Sequence, residues 1–262
     1  MKVVLFCGGL GMRIREYSDE IPKPMVPIGY RPVLWHVMKY YAHWGHKDFI
    51  LCLGHKADVI KDYFLNYDEC ISNDFTLENG GKDIELKSSD IHDWRITFVD
   101  TGYETNIGGR LRAVRKHLEG EKIFLANYSD NLTDVPLDEM TGLLEASDHV
   151  ASFLCVRPSH SFHIVDLSDN HQVQDIQHVS TSDLRINGGY FVFRQEIFDY
   201  LDEGDELVEE TFRRLIEEKR LCAYEYDGFF VCMDTYKERQ HLEELHKRGD
   251  APWRVWSPVG QP

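Results

Sequence analysis

The sequence predicts an α/β fold, a doubly wound and mostly parallel sheet with a small antiparallel cap, and three observations carry that expectation. Short apolar runs of strand length, Val3 to Cys7 and Asp48 to Leu53 among them, read as buried strands. They alternate with longer amphipathic stretches such as Pro32 to Trp44, the signature of right-handed βαβ units. From Phe162 onward the chain turns to short alternating runs, which suit an antiparallel layer on the sheet.

Taken in order, strand Val3 to Cys7, helix Pro32 to Trp44, strand Asp48 to Leu53 and helix Lys56 to Tyr67 open the fold. The polar segment Glu69 to Asp93, with Asn79-Gly80-Gly81 as a turn signal, reads as an insertion beside the sheet. Strand Arg95 to Val99, helix Gly109 to Leu118, strand Lys122 to Asn127, helix Leu137 to Ser147 and strand Val150 to Val156 extend the alternation. His163 to Leu167, Val173 to His178 and Gly189 to Phe193 are assigned to the cap. Helix Val208 to Glu218, strand Leu221 to Glu225, segment Phe229 to Asp234 and helix Tyr236 to Arg248 close the chain, and Ser257 to Pro262 is expected to fray. The expected organisation is one domain over 1–262: a core, 1–156, with insertion 69–93, and a cap with closing elements, 157–262.

A length of 262 residues with 42% hydrophobic and 12% aromatic content suffices for a substantial core. The formal net charge of −16 excludes nucleic-acid binding through a general basic surface, so an anionic ligand must meet a local cluster of cations. The six cysteines are scattered without CxxC or zinc-like spacing, and four lie within apolar runs, so they read as buried free thiols in a reducing compartment, the cytoplasm. No apolar stretch approaches the ~18 residues of a membrane span, and no apolar leader precedes the first strand.

The chemistry clusters where strands end. A glycine-rich turn, Gly8-Gly9-Leu10-Gly11-Met12-Arg13, follows the first strand, and Ile21-Pro22-Lys23-Pro24-Met25 comes soon after. Backbone N–H groups of such a turn can close around a phosphate, with Arg13 and Lys23 to neutralise it. Ligands of open parallel sheets bind beyond the carboxyl ends of the strands, where Asp130 and Asp234 also fall. Two carboxylates gathered there can share a divalent cation that touches phosphate oxygens. Taken singly, each aspartate is more ordinarily a turn or cap residue, and Arg110 and Lys23 could be solvated charges; their shared placement favours a site.

Gly8 to Arg13 followed by Pro22-Lys23-Pro24-Met25-Val26-Pro27 resembles the signature of the sugar-1-phosphate nucleotidyltransferases. The resemblance continues through Pro32 to Met38, Asp100 to Gly102, Gly108 to Leu111, Ile186 to Gly189, Met233 to Thr235 and Ala251 to Trp253, and is strongest toward the glucose-1-phosphate cytidylyltransferase branch. It implies that Gly8, Gly9, Gly11 and Arg13 hold nucleotide phosphates and that Lys23 neutralises the reacting phosphate. It further implies that Asp130 and Asp234 hold Mg²⁺ or Mn²⁺, and that Arg110, Asn187 and Gly188 face the sugar and its phosphate.

Three departures stand against nucleotidyl transfer. Met12 replaces the family's threonine, Ser129-Asp130-Asn131 replaces Gly-Asp-Gly, and Gln177-His178-Val179 replaces Glu-Lys-Pro, whose lysine grips the sugar phosphate. No lysine lies between Lys122 and Lys219, although a charged His178 could substitute in part. Transfer needs cations for two phosphate-bearing substrates, and this pattern keeps one set. The expectation is therefore a metal-dependent mutase interconverting pyranose and furanose rings of a GDP-linked hexose, a group similar in fold. Arg157 would then contact or capture the anomeric carbon, with His160 or His163 moving protons, though an arginine is more commonly a phosphate or carboxylate grip. The alternatives are a cytidylyltransferase joining CTP and glucose 1-phosphate, and a noncatalytic nucleotide-sugar binder. Partners are thus a nucleotide-sugar, or a nucleotide plus a sugar phosphate, with a homo-oligomer left open.

Overall fold

The computed structural model describes residues 1–9, 21–158 and 162–256. In chain order the elements are β1 (Lys2–Phe6), β2 (Pro27–Ile28), β3 (Arg31–Pro32), α1 (Val33–His43), β4 (Asp48–Leu53), α2 (Ala57–Leu65), β5 (Phe75–Glu78), β6 (Asp83–Leu86), β7 (Arg95–Asp100) and α3 (Ile107–Ala113). Then follow β8 (Ile123–Asn127), β9 (Asn131–Thr133), α4 (Leu137–Glu145), β10 (Ala151–Val156), β11 (His163–Leu167), β12 (Val173–His178), β13 (Ile186–Arg194), α5 (Phe212–Glu217), β14 (Leu221–Tyr226), β15 (Phe230–Cys232) and α6 (Tyr236–Arg248).

A seven-stranded sheet, ordered β14-β10-β13-β8-β1-β4-β7, forms the centre. β1 pairs in parallel with β4 on one side and β8 on the other, and β7 and β14 are likewise parallel to their neighbours. Alternation along β1 shows why the strands are apolar throughout. Val3 and Leu5 enter one core with α1, whose Val33, Leu34, Val37, Met38 and Tyr41 are buried, and with Leu137, Met140 and Leu144 of α4. Val4 and Phe6 enter a second core on the opposite face with Leu111, Phe212 and Leu215. The result is a mostly parallel α/β sheet covered by helices on both faces.

β13 departs from the expectation. Gly189 to Phe193 does not join a cap; it lies between β8 and β10, antiparallel to both. Its run of buried residues, Gly188 to Phe193, is the burial of a central strand rather than of a half-exposed layer. β14 also belongs to the sheet. What stands apart is the antiparallel pair β11–β12 and, in the polar insertion, the pair β5–β6 turning at Asn79-Gly80-Gly81. The stretch expected as one helix over Gly109 to Leu118 breaks after Ala113 into a 3₁₀ turn, and the helix from Val208 opens as a π turn at Leu207–Thr211. The last helix matches, begun by a Thr235–Glu238 capping box and stopped by Gly249 with φ +74°. The expected fraying at 257–262 falls outside the described residues.

Candidate active site

The site is assembled where β1 and β8 end side by side. After Asn127 the chain turns sharply at Ser129, whose φ of +68° is one that glycine usually takes. Two hydrogen bonds hold the turn: the Ser129 N–H donates to Asn127 Oδ1 at 2.6 Å, and its hydroxyl donates to the Phe6 carbonyl at 2.8 Å. Asp130 follows, and then β9, which pairs antiparallel with β15 so that Asn131 faces Cys232. Met233 N–H donates to the Asp130 carbonyl at 3.0 Å. This short ribbon carries Asp234 to Asp130 across 104 residues of sequence.

Lys23 enters from a 3₁₀ turn, Lys23–Met25, anchored by buried Pro24 and Met25. Its ammonium lies 2.5 Å from Asp130 Oδ2 and 2.5 Å from Asp234 Oδ1, with all three side chains mostly buried. Burial opposes charge on Lys23, but the Asp130 carboxylate beside it outweighs that penalty and holds the ammonium above its ordinary value. Burial pushes the Asp130 carboxyl up against the opposing pull of Lys23. Burial, with Asp130 adding to it, likewise pushes the Cys232 thiol up. Ligand atoms of Asp130, Asp234 and Cys232 lie within 4.8 Å of one another. Two carboxylates converging on a cationic group form a donor set that suits a hard divalent cation such as Mg²⁺.

A cavity of about 420 Å³ is lined by this cluster together with Gly9, Tyr128, Asn187 and Ile107. Its size falls within the ~300–1,000 Å³ of small-molecule pockets. Tyr128 was not singled out from sequence, although its place two residues before Asp130 at a strand end was a usable signal. The Asn187 side chain donates from Nδ2 to the Tyr128 hydroxyl at 3.3 Å and accepts at Oδ1 from Gly189 N–H, so it is held at the cavity wall. Gly188 is buried against Leu154.

Other expected residues stand elsewhere. Arg110, expected at the sugar, is 3% exposed, and its guanidinium donates to the carbonyls of Gly8, Leu53 and Gly102 and to the Thr101 hydroxyl. A Cβ at Gly8 would collide with that guanidinium, so Gly8 is glycine for a packing reason. Arg157 is turned outward, donating from Nε to Asp227 at 3.0 Å and from Nη1 to the Ser182 carbonyl at 2.7 Å. His163 is exposed on β11 and meets His178 edge to face across the β11–β12 pair, ring centroids 5.3 Å apart. His178 Nδ1 is engaged with Ser180. None of these four lines the cavity. Gly11, Arg13, Met12 and His160 lie outside the described residues.

A nucleotidyl transferase family profile matches residues 2–262. Glucose-1-phosphate cytidylyltransferase of Salmonella typhi is 36% identical over 258 residues, covering 98% of this chain and 100% of that protein. The enzyme of the same name from Salmonella typhimurium strain LT2 shows the same identity and coverage. Among solved structures, UTP-bound UGPase from Acinetobacter baumannii superposes with a TM-score of 0.69 at 18% identity, covering 94% of this chain and 92% of that one. The Salmonella relatives overturn the expectation of a GDP-hexose mutase. The geometry supplies the physical reason: Ser129 and Asn131, which stand where the family has glycines, tie their side chains to the Phe6 and Gly188 carbonyls. Among the described residues, no helix is long and apolar enough to cross a membrane.

Proposed function

We propose, since the chain belongs to the nucleotidyl transferase family, that it transfers a cytidylyl group from CTP to glucose 1-phosphate or a close hexose 1-phosphate. One observation carries this reading: the Lys23–Asp130–Asp234 cluster at the base of a cavity that begins at the glycine turn. The names of the full-length relatives supply the cytosine base and the glucose unit.

In this reading a phosphate oxygen of the sugar phosphate attacks the α-phosphorus of CTP, a P–O bond forms, and the bond to the departing pyrophosphate breaks. The chemistry requires in-line positioning and neutralised charge more than any covalent partner from the protein. Asp130 and Asp234 would hold one Mg²⁺ or Mn²⁺, which when bound supplies charge to the phosphate oxygens. The Lys23 ammonium, kept protonated by the two carboxylates, is placed to meet the reacting phosphate. Gly9 would offer a bare backbone to the nucleotide phosphates, since among the described residues beyond its chain neighbours no atom lies within 4 Å of where a Cβ would stand. Tyr128 and Asn187, fixed to each other, would bound the sugar side. Arg157, His163 and His178 have no part in this mechanism.

The test is direct. Pure protein with Mg²⁺, CTP and glucose 1-phosphate should release pyrophosphate and form CDP-glucose. Pyrophosphate formed only from UTP, dTTP or GTP would replace the base, and no release from any nucleotide and sugar-phosphate pair would reject nucleotidyl transfer.

A further inference from the structure

Cys232 lines the cavity and is not used in the proposed transfer. It ends β15, faces Asn131 in the β9–β15 ribbon and borders the cavity, so its position is fixed by main-chain pairing. Its sulfur lies within 4.8 Å of carboxylate oxygens of both Asp130 and Asp234. A separate feature supports a bound group beside it. Asn131 is 3% exposed and borders the same cavity; its Nδ2 donates to the Gly188 carbonyl, while its Oδ1 has no hydrogen-bond partner among the described residues. A buried acceptor left open is costly unless a bound molecule or a water held by one satisfies it.

We infer that Cys232 joins Asp130 and Asp234 as a third, soft donor, so that this site takes a thiophilic divalent cation, Zn²⁺, Co²⁺ or Cd²⁺, in preference to Mg²⁺. The inference rests on the proposed role of the two aspartates as cation ligands. Oxygen-only donors suit Mg²⁺, which keeps an octahedral shell with several waters and gains little from sulfur. Adding a thiolate tilts the same site toward softer cations. Three protein donors also leave a fourth position open to water or a phosphate oxygen, the pattern of catalytic zinc sites. Lys23, which now bridges the carboxylates, is the group such a cation would displace toward the cavity.

Cobalt titration of the whole protein, in buffer with a non-thiol reductant, reports sulfur ligation without reference to turnover. The wild type should develop both visible d–d bands and a near-ultraviolet thiolate-to-cobalt charge-transfer band. Cys232→Ser should lose the charge-transfer band and keep weaker d–d bands, and Asp130→Asn should lose both. In competition against a chelator, Cys232→Ser should weaken Zn²⁺ binding at least about tenfold while changing Mg²⁺ affinity less than about threefold. Cys232→Ala carries the same expectation for the band, should the serine variant fold poorly. Absence of the band in the wild type, its persistence in the Cys232 variants or in Asp130→Asn, or unchanged Zn²⁺ affinity would each overturn the inference. Pyrophosphate release from CTP is scored separately, so a failed transferase reading and a failed sulfur ligand give different results.

Discussion

Replacing Lys23 with methionine should destabilise the fold and make its stability depend on divalent cation. The Lys23 ammonium is 2.5 Å from an oxygen of each aspartate, and the three side chains are 14%, 16% and 21% exposed. Removing one partner of a buried ion pair costs about 3–5 kcal/mol, because a charge is left without compensation. Here two carboxylates lose their counter-ion, but each can regain some water or a proton, which places the cost near the lower end, at about 3 kcal/mol. At roughly 2–4 °C per kcal/mol for a chain of this size, the melting temperature should fall by about 6–12 °C in EDTA. Mn²⁺ at ~100 times its dissociation constant returns about 2.7 kcal/mol, so the variant should recover most of the loss. The wild type should gain less, since its ammonium competes for the same place. Burial already raises the Asp130 carboxyl, and loss of Lys23 raises it further. A carboxyl raised in the folded state contributes stability that is full below its unfolded value and lost as pH rises through the folded one. The deficit should therefore be larger at neutral than at mildly acid pH. Scanning calorimetry with EDTA and then Mn²⁺ reads all of this. Equal melting of the two proteins in EDTA, or a deficit indifferent to Mn²⁺, would refute the bridging role.

Asp130→Asn and Asp234→Asn should each lower turnover at least ~100-fold by weakening the cation site, and full activity in EDTA would remove the metal from the scheme. Arg110→Lys should cost about 3 kcal/mol in urea unfolding, because a lysine cannot serve the carbonyls of Gly8, Leu53 and Gly102 at once. A changed KM for sugar phosphate at unchanged stability would return Arg110 to the sugar. His36 is buried, with Nδ1 accepting from Trp253 Nε1 and Nε2 facing the Ile28 carbonyl, and burial lowers it to about 3. Since the unfolded chain then binds the extra proton, stability should fall as pH drops from the ordinary histidine value of 6.5 toward 3, by up to about 1.4 kcal/mol per unit. Urea titrations should show that slope flattened in His36→Gln; identical slopes would reject it.

The parallel half of the fold was legible because local pattern and final environment agree. Val3 to Phe6 are apolar at every position since β1 is buried on both faces, and Tyr236 to Arg248 carries its own start and stop signals. β13 was misassigned for a definite reason. Gly189-Tyr190-Phe191-Val192-Phe193 has the composition of any buried strand, and nothing local records that its neighbours are β8 and β10. Strand order is a long-range property, set by which edge remains open when the segment arrives.

Site legibility divides along the same line. The convergence of Asp130 and Asp234 could be read because a strand end is itself a location in a parallel sheet, and the β9–β15 ribbon then brings the two ends into register. Lys23 could be read because Pro22 and Pro24 confine its backbone. Arg110, Arg157, His163 and His178 could not, because residue type states what a side chain is able to do but not which acceptor claims it first. Arg110 is claimed by backbone carbonyls and Arg157 by Asp227 and Ser182, while the two histidines meet each other across a hairpin. The substitutions at 129 and 131 misled for the same reason. Ser129 and Asn131 stand against transfer when counted only as departures from glycine, but each hydrogen-bonds a main-chain carbonyl beside the site. A missing lysine between 122 and 219 is therefore no ground for a different reaction. The decisive quantity is the set of cations that line the cavity, and Lys23 is there.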